Sequence, residues 1–199
     1  MLIEKPQKGL LIGLTGKYCA GKNYTASLLE KRGLSILDVD KLGYRALEAE
    51  KEAVFALFGS DIKHPDGSLD RRLLGKKVFG NPQKLAALED IVHPAANRLT
   101  EEWIKEASGT ELVINAALLH RSSVFNRLDK IIIVKAPFLT RLFRARRRDK
   151  LPWVSIFKRF ASQKDFDSQY LAVNAEIYIV ENSNNKLKHQ IDAFLEGIK

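Results

Sequence analysis

Apolar residues gather in five short, nearly unbroken runs: Leu10 to Thr15, Leu34 to Asp38, Leu112 to Ala116, Lys130 to Lys135 and Ile177 to Glu181. None alternates apolar with polar positions, which is the pattern of parallel strands buried on both faces. Between them apolar residues recur at helical spacing, over Lys22 to Lys31, Asp40 to Phe58, Asp70 to Val78, Pro82 to Ala107 with an interruption at Pro94, Pro137 to Arg148, Pro152 to Gln163 and Asn185 to Leu195. Gly33, Gly59, Gly80, Gly109 and the turn Pro65-Asp66-Gly67 punctuate these stretches. Strands separated by crossover helices predict an α/β fold, a three-layer α/β/α arrangement around a five-stranded parallel sheet. The interval from Asp40 to Gly109 holds no convincing strand beyond a short pair around Ile62 and Leu69. It is too long for a simple crossover, so a helical insertion over the carboxyl edge of the sheet is expected.

The first apolar run empties into Gly16-Lys17-Tyr18-Cys19-Ala20-Gly21-Lys22, a G-x-x-x-x-G-K loop followed by a helical stretch. Strand, glycine loop and helix start together make a cradle for the phosphates of a nucleoside triphosphate. Gly16 and Gly21 let backbone N–H groups turn inward, and Lys22 sets a flexible positive charge against the β- and γ-phosphates. Such a loop ordinarily closes with Ser or Thr, whose hydroxyl binds Mg²⁺. Here Asn23 closes it. An amide oxygen also coordinates a hard cation, but it reaches further and brings an NH₂ that needs an acceptor. Thr25 falls on a different helix face and is not expected to replace the hydroxyl.

Asp38 and Asp40 follow the second run at i, i+2 spacing, at the strand end where the phosphate loop also opens. One carboxylate could take a proton from an acceptor hydroxyl while the other orients it or holds the metal's water shell. The plainer reading makes Asp40 a helix cap and leaves Asp38 solvated.

The 199 residues suit one sizeable α/β domain. The net charge of +9 calls for an anionic partner, polynucleotide or small polyphosphate. Six of the ten residues from Arg141 to Lys150 are basic. No helix-turn-helix, zinc or RNP-type signature accompanies them, so nucleic-acid binding is not expected, and a solvated helix face is the plain alternative. A single cysteine, Cys19, excludes a disulfide framework and reads as structural filler in a reducing compartment. Met1 to Pro6 lack a secretory pattern, and no segment reaches the roughly 18 uninterrupted apolar residues of a membrane span. A cytoplasmic protein, monomeric and without a membrane partner, is expected. His120, Trp103 and Trp153 read as packing or surface residues.

Several blocks, taken in order, resemble the dephospho-CoA kinase family: the strand and phosphate loop; Asp38-Val39-Asp40; Asp66-Gly67-Ser68-Leu69-Asp70-Arg71; Val78-Phe79; Leu88-Glu89-Asp90-Ile91-Val92-His93-Pro94; Leu118-Leu119; and Arg144 to Asp149. The resemblance implies a P-loop kinase fold in one domain, with a core (about 1–39, 110–140 and 171–199), a helical substrate-binding subdomain (about 40–109) and a lid (about 141–170). It implies Mg²⁺ and ATP as phosphoryl donor and the ribose 3′-hydroxyl of dephospho-CoA as acceptor. By position Asp40 matches the family's general base and Asp38 its partner, with Lys22 completing the catalytic set. Residues 16 to 24, including Lys17, Tyr18, Cys19, Ala20, Asn23 and Tyr24, would bind ATP together with the lid arginines Arg144 and Arg148. Arg71 and His93 would join Asp40 on the acceptor, His93 being read also as a helix-ending residue before Pro94. Asn23 would hold the metal.

Among the departures from the family pattern, those at positions 23 and 121 subtract from the metal side. Besides Asn23, Lys17 stands at a loop glycine, Asn115 at an acidic position of the third strand, and Arg121 at the Glu of a P-L-L-x-E block. Two alternatives to the kinase reading follow: a nucleotide or CoA binder that has lost its chemistry, and a kinase for another nucleoside-like acceptor.

Overall fold

In the computed structural model, residues 9–107, 111–170, 173–183 and 185–198 are described. Met1 to Pro6 and Gly109 lie outside them. The described chain divides into two compact units, residues 39–106 and the remainder.

The larger unit carries the predicted sheet. Strands β1 (Leu11–Gly16), β2 (Ser35–Asp38), β3 (Leu112–Asn115), β4 (Lys130–Lys135) and β5 (Glu176–Glu181) pair in the order β2-β3-β1-β4-β5, every pair parallel. β1 is central and buried along its whole length. Side chains at matched register positions share a face, because direction alternates along each strand. Ile12, Leu14, Val113, Ile132, Val134 and Val180 thus form one apolar face. Helices α1 (Lys22–Glu30) and α8 (Leu187–Glu196) cover it through Leu28, Leu29, Leu187, Ile191 and Phe194. On the opposite face Thr15 meets the buried Tyr170 (Oγ1 to Oη 3.3 Å). The three-layer α/β/α class read from the sequence is thereby met, with strand limits within a residue or so of those expected.

After β4 come α6 (Phe138–Asp149) and α7 (Trp153–Ala161), each entered from a proline, Pro137 and Pro152. Proline has no N–H to leave unsatisfied at a helix start. Lys150 ends α6 in the left-handed region, φ 53°.

The smaller unit is helical: α2 (Val39–Ala49), α3 (Lys51–Phe58), α4 (Arg71–Val78) and α5 (Pro82–Glu106). Its core is Val54, Phe55, Ile62, Leu69, Leu74 and Val78. The pair expected around Ile62 and Leu69 is a single antiparallel bridge, Lys63 to Leu69. Its turn is held by Asp66, which accepts from the Ser68 N–H at 2.9 Å. Asp70 caps α4, accepting from the N–H groups of Arg72 and Leu73, both at 2.9 Å.

Two helix expectations are corrected here. The stretch Asp40 to Phe58 is two helices, broken at Glu50 (φ −100°, ψ 18°). A straight helix would carry the stripe of Leu42 and Ala46 on through Glu50; the break instead turns Val54 and Phe55 into the core and lets Glu50 pair with Arg98 at 2.9 Å. No interruption occurs at Pro94: α5 runs through it unbroken. Proline costs the bond to the carbonyl of Asp90, and packing of α5 against α2, α3 and α4 offsets that local loss. His93 is accordingly an exposed mid-helix residue and ends nothing.

Candidate active site

The segment from Gly16 to Asn23 wraps tightly between β1 and α1. A Cβ on Gly16 would stand 2.6 Å from the Val134 carbonyl oxygen of β4, and Gly21 takes φ 107°, so neither position tolerates a side chain. Cys19 is also left-handed, φ 60°, and burial pushes its thiol pKa up, which suits filler rather than a nucleophile. The Ala20 N–H closes the turn on the Lys17 carbonyl at 2.9 Å. The Ala20 carbonyl accepts from Asn182 Nδ2 at 2.9 Å and Arg144 Nη1 at 3.1 Å. Arg144 Nη2 donates to the Asn182 carbonyl at 3.0 Å. The guanidinium therefore ties α6, the phosphate loop and the end of β5 together.

No side chain caps α1, and its first turn has no acidic residue. The first-turn N–H groups of a helix have no acceptor within the helix itself, and the dipole adds its positive end there. Thr25 is buried, its hydroxyl donating to the Gly21 carbonyl at 3.3 Å, and it offers nothing to a metal. Beside this helix end opens a cavity of about 590 Å³ lined by Tyr24, Arg144, Asn182, Ser183, Asn185, Leu187 and Lys188.

At the metal side Asn115 Nδ2 donates to Asn23 Oδ1 at 3.4 Å. Asn115 is 1% exposed and its Oδ1 is buried without a hydrogen-bond partner. Asp38 is the register partner of Asn115 on β2, so its side chain leaves the same face. Among the described residues no three His, Cys, Asp or Glu side chains cluster as a metal site.

The tip of the loop is held by the segment after β4. Lys17 pairs with Asp167 at 2.5 Å, with Lys135 3.9 Å from the same carboxylate. The Tyr18 N–H donates to Gln163 Oε1 at 2.6 Å. The Tyr18 hydroxyl donates to Asp149, which also accepts from Arg148 Nε at 2.6 Å and Arg159 Nη1 at 3.1 Å. Both guanidinium groups lie over the Tyr18 ring, 5.3 and 5.5 Å from its centroid. The bond from Arg148 holds the Asp149 carboxyl below the usual carboxylate range, and burial together with Asp149 raises the Tyr18 hydroxyl. Asn182, Asp149, Gln163 and Asp167 were not marked as site residues by the sequence. Asp149 lies within the Arg144 to Asp149 stretch that resembles the family, whereas Gln163 and Asp167 carry no sequence signal.

The remaining candidates belong to the helical unit. Asp40 is exposed in the first turn of α2, Arg71 opens α4 with its guanidinium 4.9 Å from the Tyr44 ring centroid, and His93 is on α5.

Comparison with known proteins agrees with the resemblance noted in the sequence. The family model of dephospho-CoA kinase matches residues 10–188. A dephospho-CoA kinase of Treponema denticola is 31% identical, the match covering 95% of this chain and 90% of that protein. One from Geobacter metallireducens is 36% identical over 80% of this chain and 83% of its own. A solved protein of Thermus thermophilus superposes with a TM-score of 0.80 at 29% identity, covering 97% of this chain and all of its own. With a family match over residues 10–188 and relatives of that name 31% and 36% identical over most of the sequence, this chain belongs to the dephospho-CoA kinases.

Proposed function

We propose that the protein transfers the γ-phosphoryl group of ATP to the ribose 3′-hydroxyl of dephospho-CoA, giving CoA and ADP, the last step of CoA biosynthesis. The observation that carries this reading is the uncapped helix end at Gly21, opening beside the cavity lined by Tyr24 and Arg144, in a chain of this family. The relatives lend no support to an inert binder or to another nucleoside-like acceptor.

In this reading the N–H groups of the loop and first turn hold the ATP phosphates, and Lys22 neutralises charge on the β- and γ-phosphates. The cavity takes the nucleoside. Arg148 leaves Asp149 and turns to the transferred group, where a guanidinium stabilises developing negative charge. Arg144 acts by fixing the loop through Ala20. Asp40 takes the proton of the acceptor hydroxyl; what supports this is its place two residues beyond Asp38 in the chain and its match to the family pattern. Arg71 and His93 bind the acceptor within the helical unit, residues 141–170 form the lid, and the remaining segments form the core. A divalent cation, Mg²⁺, fits the oxygen donors Asn23, Asn115 and Asp38, and when bound it neutralises phosphate charge. No helix among the described residues is long and apolar enough to cross a membrane. A monomer in the cytoplasm with no nucleic-acid partner completes the proposal.

The test is a coupled ADP-release assay with ATP, Mg²⁺ and dephospho-CoA, with CoA identified by mass. Acceptor-dependent turnover is expected, and ADP release that ignores the acceptor would refute the assignment.

A further inference from the structure

Asn115 is a buried amide at the carboxyl end of β3 whose two polar atoms have different fates. Its Nδ2 donates to Asn23 Oδ1 at 3.4 Å, and its Oδ1 has no partner. An unsatisfied buried acceptor is costly, so a sequence that keeps one next to a ligand site has a use for it when the ligand is present. The neighbouring groups narrow that use. Asn23 is the exposed loop-closing residue, and Asp38 shares the sheet face of Asn115 at matched register. In phosphate-loop enzymes the loop hydroxyl and a strand carboxylate hold the cation. Here both positions are amides, and they touch each other.

We propose that Asn23 and Asn115 act together as an uncharged seat for the divalent cation that accompanies the nucleotide. Asn23 Oδ1 ligates the cation where a hydroxyl ordinarily would. Asn115 is a positioning residue: its Nδ2 orients the Asn23 amide, and its buried Oδ1 accepts a hydrogen bond from a cation-bound water. Mg²⁺ keeps several of its waters, so an outer oxygen acceptor is in its ordinary chemistry. The two amides are matched to each other. Asn23→Ser alone takes away the acceptor of Asn115 Nδ2 and leaves both polar atoms of that side chain without partners. The two amides contribute no charge of their own, so beside Asp38 the cation is held chiefly by the phosphates and arrives with the nucleotide.

This inference rests on Gly16 to Asn23 being the nucleotide phosphate site, and the test separates the two claims. Mn²⁺ binding to the full chain is titrated by electron paramagnetic resonance with and without ADP, and ADP binding is measured by calorimetry in EDTA. Wild type is expected to bind Mn²⁺ only with ADP. Asn23→Ala and Asn115→Leu, each checked for folding by circular dichroism and melting temperature, should each weaken Mn²⁺ in the ADP complex about tenfold, and Asn115→Asp should strengthen it about tenfold. ADP affinity in EDTA is measured for Asn23→Ala and Asn115→Leu and should stay within about twofold for Asn115→Leu, which lies outside the phosphate loop. Mn²⁺ affinity indifferent to both of these variants, with ADP still bound, overturns the amide seat alone. A wild type that binds no ADP in either condition overturns the nucleotide site and the seat together.

Discussion

Asn182 packs its side-chain amide directly over the Cα of Gly21, leaving no room for a Cβ there, while donating to the carbonyl of Ala20 one residue earlier. Gly21 therefore answers two demands, close approach and φ 107°. Gly21→Ala is expected to destabilise the protein by more than about 1 kcal/mol in urea unfolding and to weaken ADP at least about tenfold by calorimetry. Adding Asn182→Ala should recover only part of the loss, because it relieves the collision and leaves the dihedral strain.

Arg144 spans two carbonyl oxygens, on Ala20 and Asn182. Arg144→Lys offers a single point donor in place of a fork, so one carbonyl loses its partner, at about 1 to 3 kcal/mol. A lower melting temperature and a raised KM for ATP are expected, with kcat changed less. A pure loss of kcat at unchanged stability would assign this guanidinium to the transferred phosphoryl group instead.

If Asp40 is the general base, Asp40→Asn should lower kcat by about 10² to 10⁴ while ADP affinity stays within about twofold. The acceptor-dependent assay and calorimetry measure the two quantities separately. An unchanged kcat would return Asp40 to the role of a helix-start carboxylate on α2.

The cluster of Tyr18, Asp149, Arg148 and Arg159 has a pH signature. Arg148 holds the Asp149 carboxyl below its unfolded value of about 3.9, so its stabilisation is complete above that value and is lost as pH falls through the lower folded one. The stability gap between wild type and Asp149→Asn, by urea unfolding, should be constant near neutrality and shrink below about pH 4. A gap that widens in acid would contradict the assigned charge state.

Pro94 offers a stabilising test. It is exposed inside α5 and denies Asp90 its helical partner. Pro94→Ala should restore that bond and gain about 1 to 3 kcal/mol, visible as a higher melting temperature. Loss of stability would mean that α5 depends on a proline-induced bend.

β1, β3 and β4 were readable because both of their faces are covered, so each appears as an apolar run, whereas the edge strand β5 kept its apolar run although Ile177 and Ile179 stand exposed. The phosphate loop was readable because Gly16 and Gly21 meet backbone demands that no other residue meets. The break at Glu50 was hidden because helical spacing continues across it and only the direction of the core changes. Pro94 misled because local propensity favours a break and packing from three helices overrides it. At the site, Asn23 and Asn115 were each visible as departures, but their mutual hydrogen bond needed the fold, being set by the approach of α1 to the end of β3. The ties from Gln163 and Asp167 to the loop tip were likewise invisible, since single polar residues more than 140 positions away carry no pattern.

The strand order β2-β3-β1-β4-β5 has a consequence during translation. β1 leaves the ribosome first among the strands, yet its two neighbours are made of residues 112–115 and 130–135. Until those emerge, a largely apolar segment lacks the strands it pairs with, while residues 39–106 contain their own buried core. The contiguous helical piece can consolidate early, whereas nascent β1 stays open to aggregation until most of the sheet has been synthesised.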